Sequence, residues 1–295
     1  MKSAQRSTRP ILRRLRRCLV VAAVVTGVAA VTVALFFARR AVLEPGETAD
    51  TEVFPGITYR MEQIAGRGSP FAHSVTVDMN HPGVRVSVSN PDTEAERPFR
   101  LAPAEWKLRR GGYAVLLNGA RYKPAGYMNS LPGRAVESVE LVVGDGAAAG
   151  HRSISHLIGW DAEGRLLVPT NRPAPEEAVA DAAHGIGLLS LLIRGGEIDP
   201  DAADPYFAER VINRTFIGID PEAGILMLFA FAKAQEFEAA RYVRDRGAVY
   251  GGQLDSGTSS HLILGRGADG LPAYSGLRGW RPIASYIAVE SVQTP

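Results

Sequence analysis

The stretch RTFIGIDPEAGILMLFAF, residues 214–231, decides the fold class. It contains two short apolar runs, 214–220 and 225–231, which are separated by PEAG. Short apolar runs bounded by Gly or Asp are typical of buried β-strands. Similar runs recur along the chain: YAVLLN (113–118), ESVELVVG (137–144), GLLSLLIRGG (187–196), GAVYGGQLD (247–255), SSHLILG (259–265) and IASYIAVE (283–290). The sequence therefore predicts a domain dominated by strands.

Three helices are predicted among these strands. The first runs from Pro103 to Arg109, and the second covers 175–184, with acidic residues in its first turn. The third runs from Ala234 to Arg246, where apolar residues recur at three-residue spacing and Gly247 provides a stop. The predicted fold class is α+β, with a strand-dominated mixed sheet and few helices.

An uncharged run from Cys18 to Ala38 precedes the strands and is rich in Val, Ala, Leu and Phe. As a helix it would reach about 30 Å, the thickness of the hydrocarbon core of a bilayer. Seven basic residues and no acidic residue precede it, which predicts a cytoplasmic N-terminus and a C-terminal domain in the periplasm or outside the cell. A cleaved signal peptide is the alternative, although the run exceeds the usual signal h-region.

Charge and cysteine content follow the same division. Residues 1–40 hold nine of the 33 Lys and Arg and none of the 31 Asp and Glu, so the remainder has a net charge of −7. This excludes a basic nucleic-acid-binding domain. The single cysteine, Cys18, excludes disulfides and Cys-ligated metals from the exported part. The predicted parts are a cytoplasmic arm (1–17), a transmembrane signal-anchor helix in the lipid bilayer (18–38), a linker (39–56) and an exported domain (57–295).

The segment LDSGTSS, residues 254–260, is the first candidate site. A strand delivers the carboxylate of Asp255 to its end, and a turn of small residues follows with backbone N–H groups and hydroxyls. Such a turn suits a phosphate or another anion, and the carboxylate beside it suits proton transfer. The alternative is an ordinary Asp-Ser-Gly turn between strands. The residues of the turn that form this candidate anion site are Gly257, Thr258, Ser259 and Ser260.

Two other strand ends carry polar groups. Asn118-Gly119 ends the strand at 113–118, where an ordinary turn is the alternative. Arg214 and Thr215 begin the strand at 214–220, and the guanidinium fork of Arg214 could bind an oxyanion or pair with a surface carboxylate. The histidine spacing predicts no metal centre and no cofactor is implied, while a divalent cation such as calcium held by carboxylates stays open.

In this order, AVLLNGARY, RTFIGIDPEAGILMLFAF and QLDSGTSSHLIL resemble segments of the phosphodiester glycosidase family. Arg281-Pro282-Ile283 resembles the family's closing Arg-Pro-Val. Ser256 and Thr258 replace glycines that usually follow the aspartate, and Ser256 could crowd an anion or demand another backbone conformation. The family includes the uncovering enzyme, which removes N-acetylglucosamine from a phosphodiester, and bacterial exported proteins related to exopolysaccharide.

This resemblance implies hydrolysis of the glycosidic bond of a sugar-1-phosphodiester in an envelope or exopolysaccharide glycan. Asp255 is then the acid/base, Asn118 and Gly119 orient the substrate, and Arg214, Thr215 and the 257–260 amides hold the phosphate. Glycosidases generally use two carboxyl groups. The candidates for the second carboxyl group are Asp220, Glu209 and Asp78.

Two alternatives compete with this hypothesis. A membrane-tethered module could bind a phosphoglycan in the same cleft without turnover. An aspartic protease is the other alternative, because Asp-Ser-Gly-Thr-Ser after an apolar strand is also the local signature of that class. Such proteases need two aspartates that share a proton, and the chain has one copy of the motif, so a dimer would have to supply the second.

Overall fold

The computed structural model describes residues 49–67, 70–123, 130–265 and 276–291. Its largest element is an eight-stranded antiparallel sheet with the two runs of 214–231 at its centre, paired as a hairpin. The spatial order of the strands is β1 (Thr51–Phe54), β2 (Ile57–Gln63), β3 (Phe71–Asp78), β16 (Ile225–Ala234), β15 (Ile212–Asp220), β17 (Tyr250–Ser256), β13 (Ser190–Arg194) and β14 (Glu197–Ile198).

Three smaller sheets cover one face of the eight-stranded sheet. Their apolar side chains form one continuous core with its inner face. The first sheet is β10 (Ala147–Ala149), β9 (Val142–Gly144), β12 (His184–Leu188) and β11 (His156–Trp160). The second is β18 (Leu262–Leu264), β6 (Val115–Asn118), β19 (Tyr286–Ser291) and β4 (Val84–Val88). The third is β5 (Phe99–Arg100), β8 (Ala135–Ser138) and β7 (Tyr122–Lys123).

The described residues contain three α-helices, where the sequence predicts them. They are α1 (Ala104–Gly111), α2 (Glu176–Asp181) and α3 (Glu236–Asp245). Helix α3 packs on the opposite face of the large sheet, where Phe231 meets the ring of Tyr242 edge-on at 5.7 Å. Its start is capped by a hydrogen bond from the Gln235 N–H to the Glu238 carboxylate. Helix α1 packs on the outer face of the sheet that contains β6.

The strand-dominated α+β class is confirmed, and two details of the prediction are corrected. Every pairing between the named strands is antiparallel instead of mixed, and hairpins such as β2–β3 and β15–β16 join several neighbours directly, whereas a parallel pair needs a long crossover. β1 also lies within the predicted linker, 39–56, because Val53 and Phe54 are buried in the core. The folded part therefore begins by Thr51.

The predicted strand 137–144 is in fact two strands that belong to different sheets. β8 ends at Ser138 and β9 begins at Val142, and Glu140 between them forms an isolated bridge with His151. The run 187–196 likewise passes from β12 to β13 at Leu189. Apolar content predicts burial, but it does not show where a chain leaves one sheet for another.

The predicted cytoplasmic arm and the membrane helix, residues 1–38, lie outside the described residues. Among the helices that the structure does describe, none has the length and apolar character needed to cross a bilayer.

Candidate functional site

Asp255 reaches its position through an irregularity in the central sheet. Arg214 pairs with Ser256, whereas Phe216 pairs with Gln253, so that Thr215 alone faces both Leu254 and Asp255. Such a β-bulge redirects the side chains of the strand that carries the extra residue. The Thr215 hydroxyl donates to the Asp255 carbonyl oxygen at 2.8 Å and holds the bulge in place.

The carboxylate of Asp255 is held by the turn that follows it. Oδ1 accepts the backbone N–H of Ser256 at 2.7 Å, and Oδ2 accepts the hydroxyl of Ser259. Burial raises the pKa of Asp255, and these hydrogen bonds, with the charges of Arg121 and Arg281, offset the rise only in part. A carboxyl group with a raised pKa is a stronger base than an exposed aspartate and is suited to proton transfer.

The turn after Asp255 accommodates Ser256 without strain. Ser256 is extended, with φ −141° and ψ 168°, which any residue adopts, whereas Gly257 has φ 81°. The glycine is therefore retained where the left-handed conformation requires it. Gly257–Ser259 form one turn of 3₁₀-helix, and the carbonyl oxygen of Thr258 accepts the backbone N–H of Arg281 at 3.1 Å. Ser260 is fully buried behind this turn.

Asn118 and Gly119 support Asp255 from the end of β6. The side-chain oxygen of Asn118 accepts the His261 N–H at 2.7 Å, and this buried contact fixes the 259–261 segment. The Gly119 carbonyl oxygen accepts the Asp255 N–H at 3.3 Å. A Cβ at Gly119 would lie 2.6 Å from the Ser285 hydroxyl, so the close approach of this segment requires glycine. Asn118 thus orients the turn itself, which differs from the substrate contact predicted for it.

Glu140 is a second carboxyl group at the site that sequence reasoning missed. It is 2% exposed, and its carboxylate accepts the Arg121 backbone N–H at 2.9 Å and the Arg121 Nε–H at 2.7 Å. Burial raises the pKa of Glu140, Arg121 lowers it, and the negative charge of Asp255 raises it further. Asp255 therefore lies close enough to Glu140 for its charge to affect the titration of Glu140. The break in the predicted strand 137–144 is what directs Glu140 towards Arg121.

Arg281 provides a second guanidinium group near Asp255. Its side chain donates to the Tyr122 hydroxyl at 3.0 Å and to Ser130 Oγ at 2.6 Å, and it lies 5.4 Å from the centre of the Tyr122 ring. The His261 ring contacts the Arg281 carbonyl oxygen at 2.8 Å and fixes its backbone. Arg281 is only partly buried. The sequence identifies Arg281 only as part of the closing Arg-Pro motif and predicts no role for its side chain.

Arg214 has a structural role instead of the phosphate contact predicted from the sequence. It is completely buried, and its guanidinium group donates to the carbonyl oxygens of Ala234 (2.8 Å), Phe207 (2.5 Å) and Arg210 (2.7 Å) and to the Gln253 side chain. Burial lowers its pKa to about 10. All three nitrogen atoms of the guanidinium group are thus engaged by the protein, and Arg214 fixes the 207–210 loop to the central sheet.

The three carboxylates predicted as partners of Asp255 lie elsewhere. Asp220 and Asp78 both face Ile225 at the far end of the large sheet. Asp220 lies five residue steps along β15 from Thr215, a distance of roughly 17 Å in an extended strand. Glu209 is exposed and contacts the Gln235 side chain. Within the described ranges, no group of three or more His, Cys, Asp and Glu residues could hold a metal ion.

The fold and the site define an antiparallel α+β domain that presents one basic carboxyl group beside two guanidinium groups. Such a site can bind an anion and transfer a proton next to it. The chain belongs to the phosphodiester glycosidase family, whose model matches residues 112–290. This range includes Asp255, Glu140, Arg121 and Arg281.

Solved structures agree with this assignment at the level of the fold. The chain is similar to the catalytic domain of zebrafish N-acetylglucosamine-1-phosphodiester alpha-N-acetylglucosaminidase, auto-inhibited by its pro-peptide. The TM-score is 0.60 at 17% identity, covering 84% of this chain and 88% of that one. It is also similar to a hypothetical protein from Synechocystis, with a TM-score of 0.57 at 16% identity over 80% of this chain and 62% of that one. No curated protein sequence matches the chain.

Proposed function

We propose that this protein hydrolyses the glycosidic bond of a sugar-1-phosphodiester in an envelope or exopolysaccharide glycan. The observation that carries the proposal is the basic carboxyl group of Asp255 within the electrostatic reach of Arg121 and Arg281. Membership of the phosphodiester glycosidase family supports this reaction class. The Asp-Ser-Gly-Thr-Ser segment lies within the range that the family model matches, which favours the glycosidase over the aspartic protease alternative.

The proposed reaction breaks the bond between the anomeric carbon and a phosphate oxygen. Water supplies the oxygen that remains on the sugar, and Asp255 accepts the proton that the water loses. The phosphate leaves as a monoester. The guanidinium groups of Arg281 and Arg121 stabilise the negative charge that the phosphate gains. A phosphate leaving group needs little help from an acid, so one carboxyl group suffices for proton transfer. Glu140 is then a positioning residue that fixes Arg121.

The proposed setting is the outer side of a membrane. It rests on the uncharged run 18–38 and on the basic residues before it. A protease added to intact spheroplasts should remove the C-terminal domain and leave the N-terminal arm protected. Protection of the domain until the cells are lysed would contradict this orientation.

The reaction is tested by measuring sugar release from a panel of sugar-1-phosphodiesters with the purified full chain. Release of free sugar and a phosphate monoester from at least one member is expected. Binding of a phosphoglycan without any release would instead indicate a glycan-binding module. Peptide cleavage that a transition-state peptide mimic inhibits would indicate a protease.

Arg281→Gln is expected to weaken substrate binding while the protein stays folded. The substitution removes a charged donor to the phosphate, and a hydrogen bond to a charged group corresponds to about 10–100-fold in affinity. We therefore expect KM to rise by about that factor in steady-state kinetics. Arg165→Gln is the matched control, because Arg165 is an exposed arginine paired with Asp161 outside the site. An unchanged KM in Arg281→Gln would show that another group binds the phosphate.

Glu140→Gln is expected to change the pH profile of the reaction. Ionised Asp255 is the active form, so kcat/KM falls as the pH drops through the pKa of Asp255, which burial raises. Glutamine leaves the charge of Arg121 without its carboxylate partner, and Arg121 lowers the pKa of Asp255, so the acid limb should move to lower pH. A fall in kcat of about 10²–10⁴-fold at the optimal pH would contradict the positioning role, because it would make Glu140 a catalytic acid or base.

A further inference from the structure

A cavity of about 600 Å³ lies between α1, β5 and the start of β19. Its size is within the range of small-molecule sites in proteins. The walls are mainly apolar, with the rings of Phe99, Trp106 and Tyr286 among them. Trp106 is 51% exposed at this cavity, which is unusual for so large an apolar side chain. An exposed aromatic ring at an apolar cavity is a surface on which a ligand can stack.

The charges at this cavity are positive. Lys107 and Arg100 belong to the wall, and no Asp or Glu is among the lining residues that the structure describes. The Lys107 ammonium donates to the Ala284 carbonyl oxygen at 3.0 Å and lies 4.7 Å from the centre of the Tyr286 ring. Burial lowers the pKa of Lys107 to about 8, so most of the group is still charged at neutral pH. The cavity therefore matches a ligand with an apolar body and an attached anion.

The cavity shares two segments with the site around Asp255. Ala284 and Tyr286 line the cavity, and Ser285 between them accepts the Gly119 and Ala120 N–H groups at 2.9 and 3.0 Å. Pro132 and Gly133 also line it, and they follow Ser130, which Arg281 contacts. The cavity and the site around Asp255 are thus built partly on the same two segments, 130–133 and 281–286.

We infer that this cavity, formed by Phe99, Arg100, Trp106, Lys107 and Tyr286, binds the apolar alcohol on the other side of the phosphate. This inference rests on the proposed function, because it identifies the second substituent of the same phosphodiester. The sugar occupies the Asp255 side, Arg281 holds the phosphate, and the alcohol extends over Trp106. An apolar alcohol buries its body there, and the positive charge of the wall complements the charge of the attached phosphate.

The first test is binding of phosphate monoesters to the full chain, which needs no turnover. Benzyl phosphate and methyl phosphate differ only in the apolar group, and calorimetric titration should give benzyl phosphate a Kd at least about tenfold lower. Trp106→Ala should reduce this ratio to near one. Trp106 is exposed and has the guanidinium group of Arg110 5.0 Å from its ring centre. Tyr206→Ala is the matched control, because Tyr206 is an exposed aromatic residue with Arg210 over its ring in the same way. It should keep the wild-type ratio.

The second test is the ratio of kcat/KM for the benzyl and methyl diesters of the same sugar-1-phosphate. The wild type should favour the benzyl diester at least about tenfold, and Trp106→Ala should lose the preference. Equal Kd values for the two monoesters in the wild type would overturn the inference, as would a preference that survives in Trp106→Ala. If no diester releases sugar, the proposed function fails, whereas the Kd ratio still decides whether the cavity binds an apolar alcohol.

Discussion

Asp255→Asn is expected to abolish sugar release, lowering kcat/KM by about 10²–10⁴-fold, with the fold intact. Asparagine keeps the shape of the side chain and can still accept the Ser256 N–H, but it cannot take a proton from water. Steady-state sugar release across the diester panel is the measurement. Asp220→Asn is the matched control, since Asp220 also ends a strand but lies at the far end of the large sheet. It should keep wild-type activity.

The melting temperature of Asp255→Asn shows whether a loss of activity comes from the missing proton acceptor or from unfolding of the protein. The pKa of Asp255 is raised in the folded state, so ionisation at neutral pH costs folding free energy, and this cost is present above the folded pKa. The uncharged asparagine removes it. The melting temperature at pH 7 should therefore stay the same or rise. Full activity in this variant would refute the acid/base role of Asp255.

Arg214→Ala is expected to destabilise the protein by about 3–5 kcal/mol, the cost of removing one partner from a buried charged network. Four protein acceptors would lose their donor, among them the carbonyl oxygens of Phe207 and Arg210. Denaturant unfolding of the variant and the wild type measures the difference. For a domain of this size it corresponds to a melting temperature lower by roughly 10 °C.

Arg214→Lys distinguishes the structural role from the phosphate contact predicted by sequence. Lysine keeps the positive charge but has no planar fork to reach acceptors on several sides. A structural role predicts a loss of stability close to that of alanine. A phosphate contact would instead leave the unfolding free energy of both variants unchanged and raise KM. Arg165→Ala, at an exposed ion pair, should leave the melting temperature nearly unchanged.

Local sequence patterns determined the elements and the central residue of the site. The apolar runs at 214–220 and 225–231 form β15 and β16, because a run of consecutive apolar residues is itself the sequence signal of a short buried strand. The helix predicted at 234–246 is α3, whose spacing and stop signal are equally local. Asp255 followed by a turn was also visible in the sequence. The family resemblance rested on the same short segments.

Only the tertiary structure decided what the charged residues do. Arg214 and Arg281 both lie in segments that resemble family motifs. Arg214 is buried against four acceptors, whereas Arg281 lies at the site. Glu140 became part of the site because the chain leaves one sheet at Ser138 and brings it to Arg121, 19 residues away. The role of a charged side chain depends on its burial and on its partners, which the fold brings together from distant parts of the chain. A local sequence pattern does not show which distant residues will contact a side chain in the folded protein.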